Sequence, residues 1–156
     1  GRRLAGWGVG TRRGTEKDGP ARDAVLDLAA GYGVAVETVT EETALPFGDA
    51  ELTIFPPLDT GGSNELGLTV LATAGENDFL VTGDMERATE KKLLETYNLP
   101  DIEVLMAGHH GSKGSTSEEL LEAVTPETVI IRVGSNSYGH PAEDTLRRLA
   151  RAGCAV

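Results

Sequence analysis

All three histidines of this chain sit next to glycine, at or just past the mouths of predicted strands. His109 and His110 lie in Leu105-Met106-Ala107-Gly108-His109-His110-Gly111-Ser112-Lys113, directly after a short apolar run, and His140 lies in Tyr138-Gly139-His140-Pro141. Asp84 has the same setting, at the end of Phe79-Leu80-Val81-Thr82-Gly83-Asp84. Three strand-end segments thus offer a carboxylate, an imidazole pair and a third imidazole to what can be one spot. Metal sites are commonly assembled this way from distant parts of a chain. The donor mixture suits zinc, manganese or iron.

Each candidate also has a plainer reading. Asp84 can cap the helix expected to begin near Glu86, and the two roles can coexist. On extended backbone successive side chains point to opposite sides. One imidazole of the pair is therefore expected to ligate and the other to contact substrate or stand behind it; the alternative is a half-buried pair bonded to loop carbonyls. Gly108 and Gly111 permit close backbone approach. Ser112, Lys113 and Ser115 can bind an anion or cap the next helix, and Ser115 reads as a cap. His140 precedes proline, which biases it towards an extended or turn conformation. Nearby Asn136 and Tyr138 are candidate substrate contacts, against the readings of turn residue and packing ring. Asn64 reads as structural, and Trp7 alone carries no chemistry. Glu86, Glu90, Lys91 and Lys92 read as solvated charges on a helix face.

Residues 1–20, rich in Gly, Arg and Thr, read as a flexible loop or a truncated start. A helix is expected over 21–31, with Val25, Leu28 and Ala29 at helical spacing and Gly31 and Gly33 at its end. Residues 34–40 resemble a short strand, 45–49 a turn, and 51–55 a strand stopped by Pro56-Pro57. After a loop over 57–63, strands over 66–72 and 79–82 form a hairpin around a turn at 75–78. Glu86–Tyr97 is expected as a helix, with Leu93, Leu94 and Tyr97 on one stripe. Strand (102–107), helix (117–124), strand (128–133) and helix (142–152) follow. Ser115-Thr116-Ser117 supplies the third helix's cap, ahead of the acids Glu118 and Glu119. A β-rich start followed by alternating β and α implies a sheet with helices packed outside it, a layered α/β or α+β domain.

With 156 residues the chain suits one domain with a genuine core. No stretch approaches the ~18 apolar residues needed to span a bilayer. The start lacks both an initiator Met and an apolar signal core, so no targeting peptide is expected and an excised piece of a longer protein is. The lone Cys154 rules out an internal disulfide. A formal net charge of −11 argues against a broad nucleic-acid-binding face. Bound divalent cations would invert the local field, so a nucleic-acid substrate remains open. Charge is uneven: Arg2, Arg3, Arg12, Arg13 and Lys17 crowd the start, whereas Glu37, Glu41, Glu42, Asp49 and Glu51 follow with no base between them.

Taken in order, Pro56-Pro57, Ser63-Asn64-Glu65-Leu66-Gly67-Leu68-Thr69-Val70-Leu71, Leu80-Val81-Thr82-Gly83-Asp84-Met85-Glu86, Ala107-Gly108-His109-His110-Gly111-Ser112-Lys113, Val129-Ile130-Ile131-Arg132-Val133-Gly134 and Tyr138-Gly139-His140-Pro141 resemble the metallo-β-lactamase domain of ComEC-type competence proteins. The resemblance covers about residues 22–156. It implies a four-layered αβ/βα sandwich with two divalent metals, zinc or manganese, at one edge. Asp84 would match the aspartate that bridges them, His110 rather than His109 a ligand, and His140 the family's Gly-His-Pro histidine. Asp84, His110 and His140 are then the catalytic candidates, and Ser112, Lys113, Asn136 and Tyr138 the substrate contacts. The implied function is phosphodiester hydrolysis of DNA during bacterial uptake, in an extracytoplasmic domain of a membrane protein. The alternatives are a cytoplasmic setting, a soluble hydrolase of small phosphoesters, lactones or thioesters, and a non-catalytic interaction domain. Two departures stand out. Gly67 replaces a common serine, and no histidine precedes His109, so the family's His-x-His-x-Asp-His segment is absent. Residues 21–156 are therefore expected to form only the C-terminal part of the domain, holding one metal or none, with an exposed sheet that favours a homodimer.

Overall fold

The computed structural model describes residues 20–58 and 63–156. The expected loop around Leu4, Trp7 and Val9, and residues 59–62 of the loop after Pro57, lie outside them. Helix α1 (Pro20–Gly31) comes first, as expected. Strands β1 (Thr43–Phe47), β2 (Ala50–Phe55), β3 (Thr69–Ala74) and β4 (Asn77–Val81) follow as an antiparallel meander. Then α2 (Arg87–Thr96), β5 (Val104–Met106), α3 (Glu118–Val124), β6 (Thr128–Ile130) and α4 (Glu143–Ala152) alternate. Strand β5 pairs in parallel with β4, and β6 with β5, completing a six-stranded sheet in the order β1-β2-β3-β4-β5-β6. This is the mixed α/β architecture that the element order predicts.

Register explains where the core lies. Thr53, Leu71, Leu80, Leu105 and Val129 are cross-strand partners in one row, so their side chains share a face. Leu71, Leu80, Leu105 and Val129 are buried there against Leu93 of α2, Leu120, Leu121 and Val124 of α3, and Leu149 of α4. The adjoining row, Ile54, Val70, Val81, Met106 and Ile130, faces the other way. None of these five is buried, and Ile130 is 45% exposed. One face of the sheet is thus covered by helices while the other keeps an apolar, half-exposed row.

Several boundaries differ from expectation. Residues 34–40 form no strand. Their β-branched side chains supply propensity, but no strand among the described residues pairs with them. Leu45, Pro46 and Phe47 belong to β1, and the turn shrinks to Gly48-Asp49. Pro46 is harmless in β1 because an outer strand can spare a ladder N–H. Strand β3 starts at Thr69 instead of Leu66, after a 3-10 turn over Ser63–Leu66. The β3–β4 connection is tight, with Gly75 at φ +65° in the left-handed region that a two-residue hairpin requires.

Candidate metal centre

The carboxyl ends of parallel strands are where open α/β sheets expose their loops. Strands β4 and β5 end at one edge, and the chain leaving β6 returns to it. Just past β4, Gly83 takes φ +68° and turns the chain so that Asp84 follows it at the sheet edge. The Gly83 carbonyl accepts the His109 N–H at 3.0 Å, tying the Asp84 segment to the histidine pair. Glu65, on the 3-10 turn, accepts the Glu86 N–H through both carboxylate oxygens, at 3.2 and 3.4 Å.

The histidine pair is not extended, so the argument from alternating side chains does not apply. His109 (φ 47°, ψ 47°) and His110 (φ 55°, ψ 28°) are both left-handed, within a 3-10 turn over Gly108–Gly111. Each non-glycine residue held this way costs roughly 1–2 kcal/mol. Their rings lie 6.4 Å apart at 66°, and the His109 and His140 rings 5.7 Å apart. His110 Nε2 stands 4.0 Å from Asp84 Oδ1, with both side chains 46% exposed. The structure therefore places Asp84 beside His110, and His109 beside both His110 and His140.

His110 Nδ1 lies 2.9 Å from the Arg132 carbonyl oxygen. A carbonyl only accepts, so Nδ1 carries a proton, and in the neutral ring Nε2, the nitrogen nearest Asp84, keeps its lone pair. Metal-binding histidines are characteristically oriented by such a bond behind the ring. His109 Nδ1 and His140 Nδ1 are buried and have no hydrogen-bond partner among the described residues. Buried ring nitrogens without partners are costly in an apolar setting and suit metal donors. Among the described residues, however, no three His, Cys, Asp or Glu side chains converge closely enough to hold an ion. The donors fit a metal in kind but do not complete a set.

The loop bearing His140 is organised by Asn136. Its side-chain oxygen accepts the Tyr138 and His140 N–H groups, and its amide donates to the Gly134 and His140 carbonyls. The Tyr138 ring stacks at 24° with its centroid 6.0 Å from that of His140, and is itself 82% exposed. Gly111 lets this loop approach. A Cβ there would lie 2.8 Å from Pro141 Cβ, and φ is +80°.

Other candidates resolve differently. Ser112 Oγ accepts the Gly114 N–H inside its own turn, whereas Lys113 is exposed. Ser115 does not cap α3. Its hydroxyl donates to the Met85 carbonyl, and Ser117 is the cap, its Oγ accepting the Leu120 N–H. The capping position of α2 is Glu86, not Asp84. The largest departure is Glu90, expected to be solvated and found wholly buried. Its carboxylate accepts the Thr116 N–H at 2.5 Å and the Ser117 N–H at 2.9 Å. Burial pushes the Glu90 carboxyl above its ordinary range, opposed by the Ser117 and Thr116 groups and by Arg148. Arg148, also buried, donates to the Thr116 and Ser115 carbonyls. The signal for Glu90 was present in the sequence. It shares the 90, 93, 94, 97 helical stripe with Leu93, Leu94 and Tyr97.

No family model matches this chain. Among curated proteins, ComE operon protein 3 of Bacillus subtilis is 34% identical over 135 residues, covering 85% of this chain and 17% of that protein. Recombination protein 2 of Haemophilus influenzae is 41% identical over 98 residues, 62% of this chain and 12% of that protein. Competence protein ComA of Neisseria gonorrhoeae is 41% identical over 83 residues, 51% of this chain and 12% of that protein. The chain thus spans less than a fifth of the length of these relatives. A solved CmlA β-hydroxylase, the E377D mutant, superposes with a TM-score of 0.52 at 15% identity, over 78% of this chain and 32% of that one, a likeness of fold alone. Sequence and fold together identify the chain as a metallo-β-lactamase-fold relative of a segment of the ComEC-type competence proteins.

Proposed function

We propose that this chain carries part of the site of a metal-dependent hydrolase that cuts phosphodiester bonds of DNA during bacterial DNA uptake. The observation behind this reading is a pair of buried nitrogens without a hydrogen-bond partner among the described residues, His109 Nδ1 and His140 Nδ1, on rings 5.7 Å apart. Beside them His110 turns its free Nε2 towards Asp84. Homology to competence proteins supports the biological setting.

Asp84, His109, His110 and His140 would supply part of the donor set of a divalent ion, zinc or manganese. Such an ion supplies Lewis-acid activation of water and of a phosphoryl oxygen. The chain's own residues do the rest. The Arg132 carbonyl holds the proton on His110 Nδ1 and thereby keeps Nε2 available. Asn136 fixes the loop on which His140 rides, and Tyr138 offers an exposed ring on which a base can stack. Lys113, exposed on the histidine turn, is the cation for a phosphate, while Ser112 shapes the turn. With a net charge of −11, grip on DNA depends on the ion and a few local cations.

The complete domain would hold two ions and this chain one or none, the remaining donors and the layer over the open sheet face coming from the rest of a larger protein. A second copy pairing through that face is the alternative, read out as a dimer by light scattering. The extracytoplasmic side of the membrane is the setting we propose. None of the described helices is long and apolar enough to cross a bilayer. A second reading is a non-catalytic interaction domain, favoured by the lack of three convergent donors among the described residues.

Manganese-dependent DNA cleavage by a protein of the relatives' full length, with and without Asp84→Asn and His140→Ala, tests the proposal. Cleavage abolished by both substitutions supports it. Metal binding without cleavage of DNA, but with hydrolysis of small phosphoesters, moves the activity to another substrate. No metal uptake at all leaves the interaction domain.

A further inference from the structure

We infer that Glu90 is a positioning residue for the His109-His110 turn, acting through Thr116. Its importance for catalysis rests on the metal reading above, but the positioning itself does not.

The turn contains unfavourable backbone that something must hold. His109, His110 and Thr116 all have positive φ, at 47°, 55° and 53°. A β-branched residue such as Thr116 tolerates this region poorly. Strained backbone persists only where its surroundings over-determine it. Here two buried side chains grip the same segment by opposite polarities. From α2, Glu90 accepts the Thr116 and Ser117 N–H groups. From α4, Arg148 donates to the Thr116 carbonyl at 3.0 Å and the Ser115 carbonyl at 2.7 Å. Thr116 is thereby fixed at both its N–H and its C=O.

Thr116 passes this on. Its hydroxyl accepts the Gly108 N–H at 2.9 Å, in a buried contact at the entry to the histidine pair. The next N–H, of His109, goes to the Gly83 carbonyl beside Asp84. Space is tight as well: a Cβ on Gly108 would sit 3.2 Å from Ser115 Cβ and 3.6 Å from Glu90 Oε1. A carboxylate can accept both N–H groups of 116 and 117, whereas a carboxamide must turn its NH2 towards one of them. The chain of contacts Glu90, Thr116, Gly108, His109 therefore links a helix-borne charge to the left-handed histidines.

Amide hydrogen exchange measured residue by residue on this chain tests the inference, with Glu90→Gln, Thr116→Val and Thr116→Ser. Glu90→Gln and Thr116→Val should each accelerate exchange at Gly108 and His109 by at least about tenfold. Leu80, Leu105 and Val129 in the sheet should change much less. Thr116→Ser retains the hydroxyl and should restore wild-type protection. Acceleration spread evenly over turn and sheet would reduce Glu90 to a general stabiliser and overturn the inference. So would unchanged exchange at Gly108 and His109 in Thr116→Val. If Glu90→Gln fails to fold, Thr116→Val decides, because it leaves Glu90 in place. Cobalt titration of the same variants separates this from the functional reading. Weaker cobalt binding with an intact sheet extends the inference to the metal. Wild-type protein that binds no cobalt removes the metal reading, and exchange still judges the positioning.

Discussion

Two loops bring the histidines to one edge of the sheet, and they are built in different ways. The loop over 107–117 is sunk into the fold. Gly108, Gly111, Ser115, Thr116 and Ser117 are buried, and it is tied to α2 by Glu90, to α4 by Arg148 and Thr145, and to the Asp84 segment by His109 and Ser115. The loop over 134–140 is exposed from 134 to 139, and a single side chain, that of Asn136, closes it on itself. One half of the site thus inherits the rigidity of the core, while the other can shift at small cost. Segments poor in buried contacts supply the low-energy motions that ligand binding uses. We expect His109 and His110 to be preorganised and His140 to adjust.

The largest expected effect tests the core-borne side. Arg148→Met removes the donors to the Thr116 and Ser115 carbonyls and to Thr145 Oγ1, and leaves the buried Glu90 carboxylate without its nearby cation. Buried acceptors left unsatisfied cost ~1–3 kcal/mol each, so losing the donor to both carbonyls should cost ~2–5 kcal/mol. Urea unfolding should show a lower midpoint at an unchanged slope. A loss under about 1 kcal/mol would mean that the 107–117 loop stands without its helical supports, and the contrast would collapse.

Next comes the joint between the loops. Gly111→Ala puts a methyl 2.8 Å from Pro141 Cβ at φ +80°, and the Gly111 carbonyl also accepts the Ala142 N–H. Strain and overlap together should cost ~2–3 kcal/mol, measured by thermal melting. The methyl pushes the less supported partner, so the resonances of His140 and Tyr138 should move more than those of Gly108 and Thr116. Equal movement on both sides would show that rigidity is shared across the joint.

These differences bear on what the sequence disclosed. The order of elements from β2 onward, the α/β layering and the closeness of His110 to Asp84 and of His109 to His140 were legible, because apolar runs ending in Gly-Asp or Gly-His mark strand ends. Backbone handedness was not. Extended geometry is the natural reading after a strand, whereas the pair adopts left-handed backbone that tertiary hydrogen bonds hold in place. Glu90 was misread for a related reason. A glutamate among lysines on a helix looks solvated, and only its place on the stripe of Leu93, Leu94 and Tyr97 points inward. Pro46 misled in the opposite direction, since a strand's position in the sheet decides whether a missing N–H matters. Non-local pairing, in each case, overrode a sound local argument.

The self-contained loop should respond more weakly and more locally. Asn136→Ala removes hydrogen bonds that are all exposed and all internal to 134–140. Each such bond contributes ~0.5–1.5 kcal/mol where buried and less in water. Global stability should therefore fall by no more than about 1 kcal/mol. Meanwhile the His140 ring signal should broaden or shift, and that of His109 should hold. A global loss as large as that for Gly111→Ala would show the loop to be part of the core unit.

The smallest expected effect is also the sharpest discriminator. Tyr138 is 82% exposed, and its ring stacks on that of His140, centroids 6.0 Å apart. Tyr138→Ala should change stability by no more than ~0.5 kcal/mol, because a side chain that buries so little surface has little to lose. Its effect belongs instead on a ligand. A stacked base contributes ~1–3 kcal/mol by alanine substitution, so affinity of the full-length protein for single-stranded DNA should drop roughly 5- to 150-fold. Tyr138→Phe keeps the ring and should bind nearly as the parent does. A stability loss with unchanged DNA affinity would reverse the assignment, making Tyr138 a prop for His140 and the 134–140 loop less adaptable than its exposure implies.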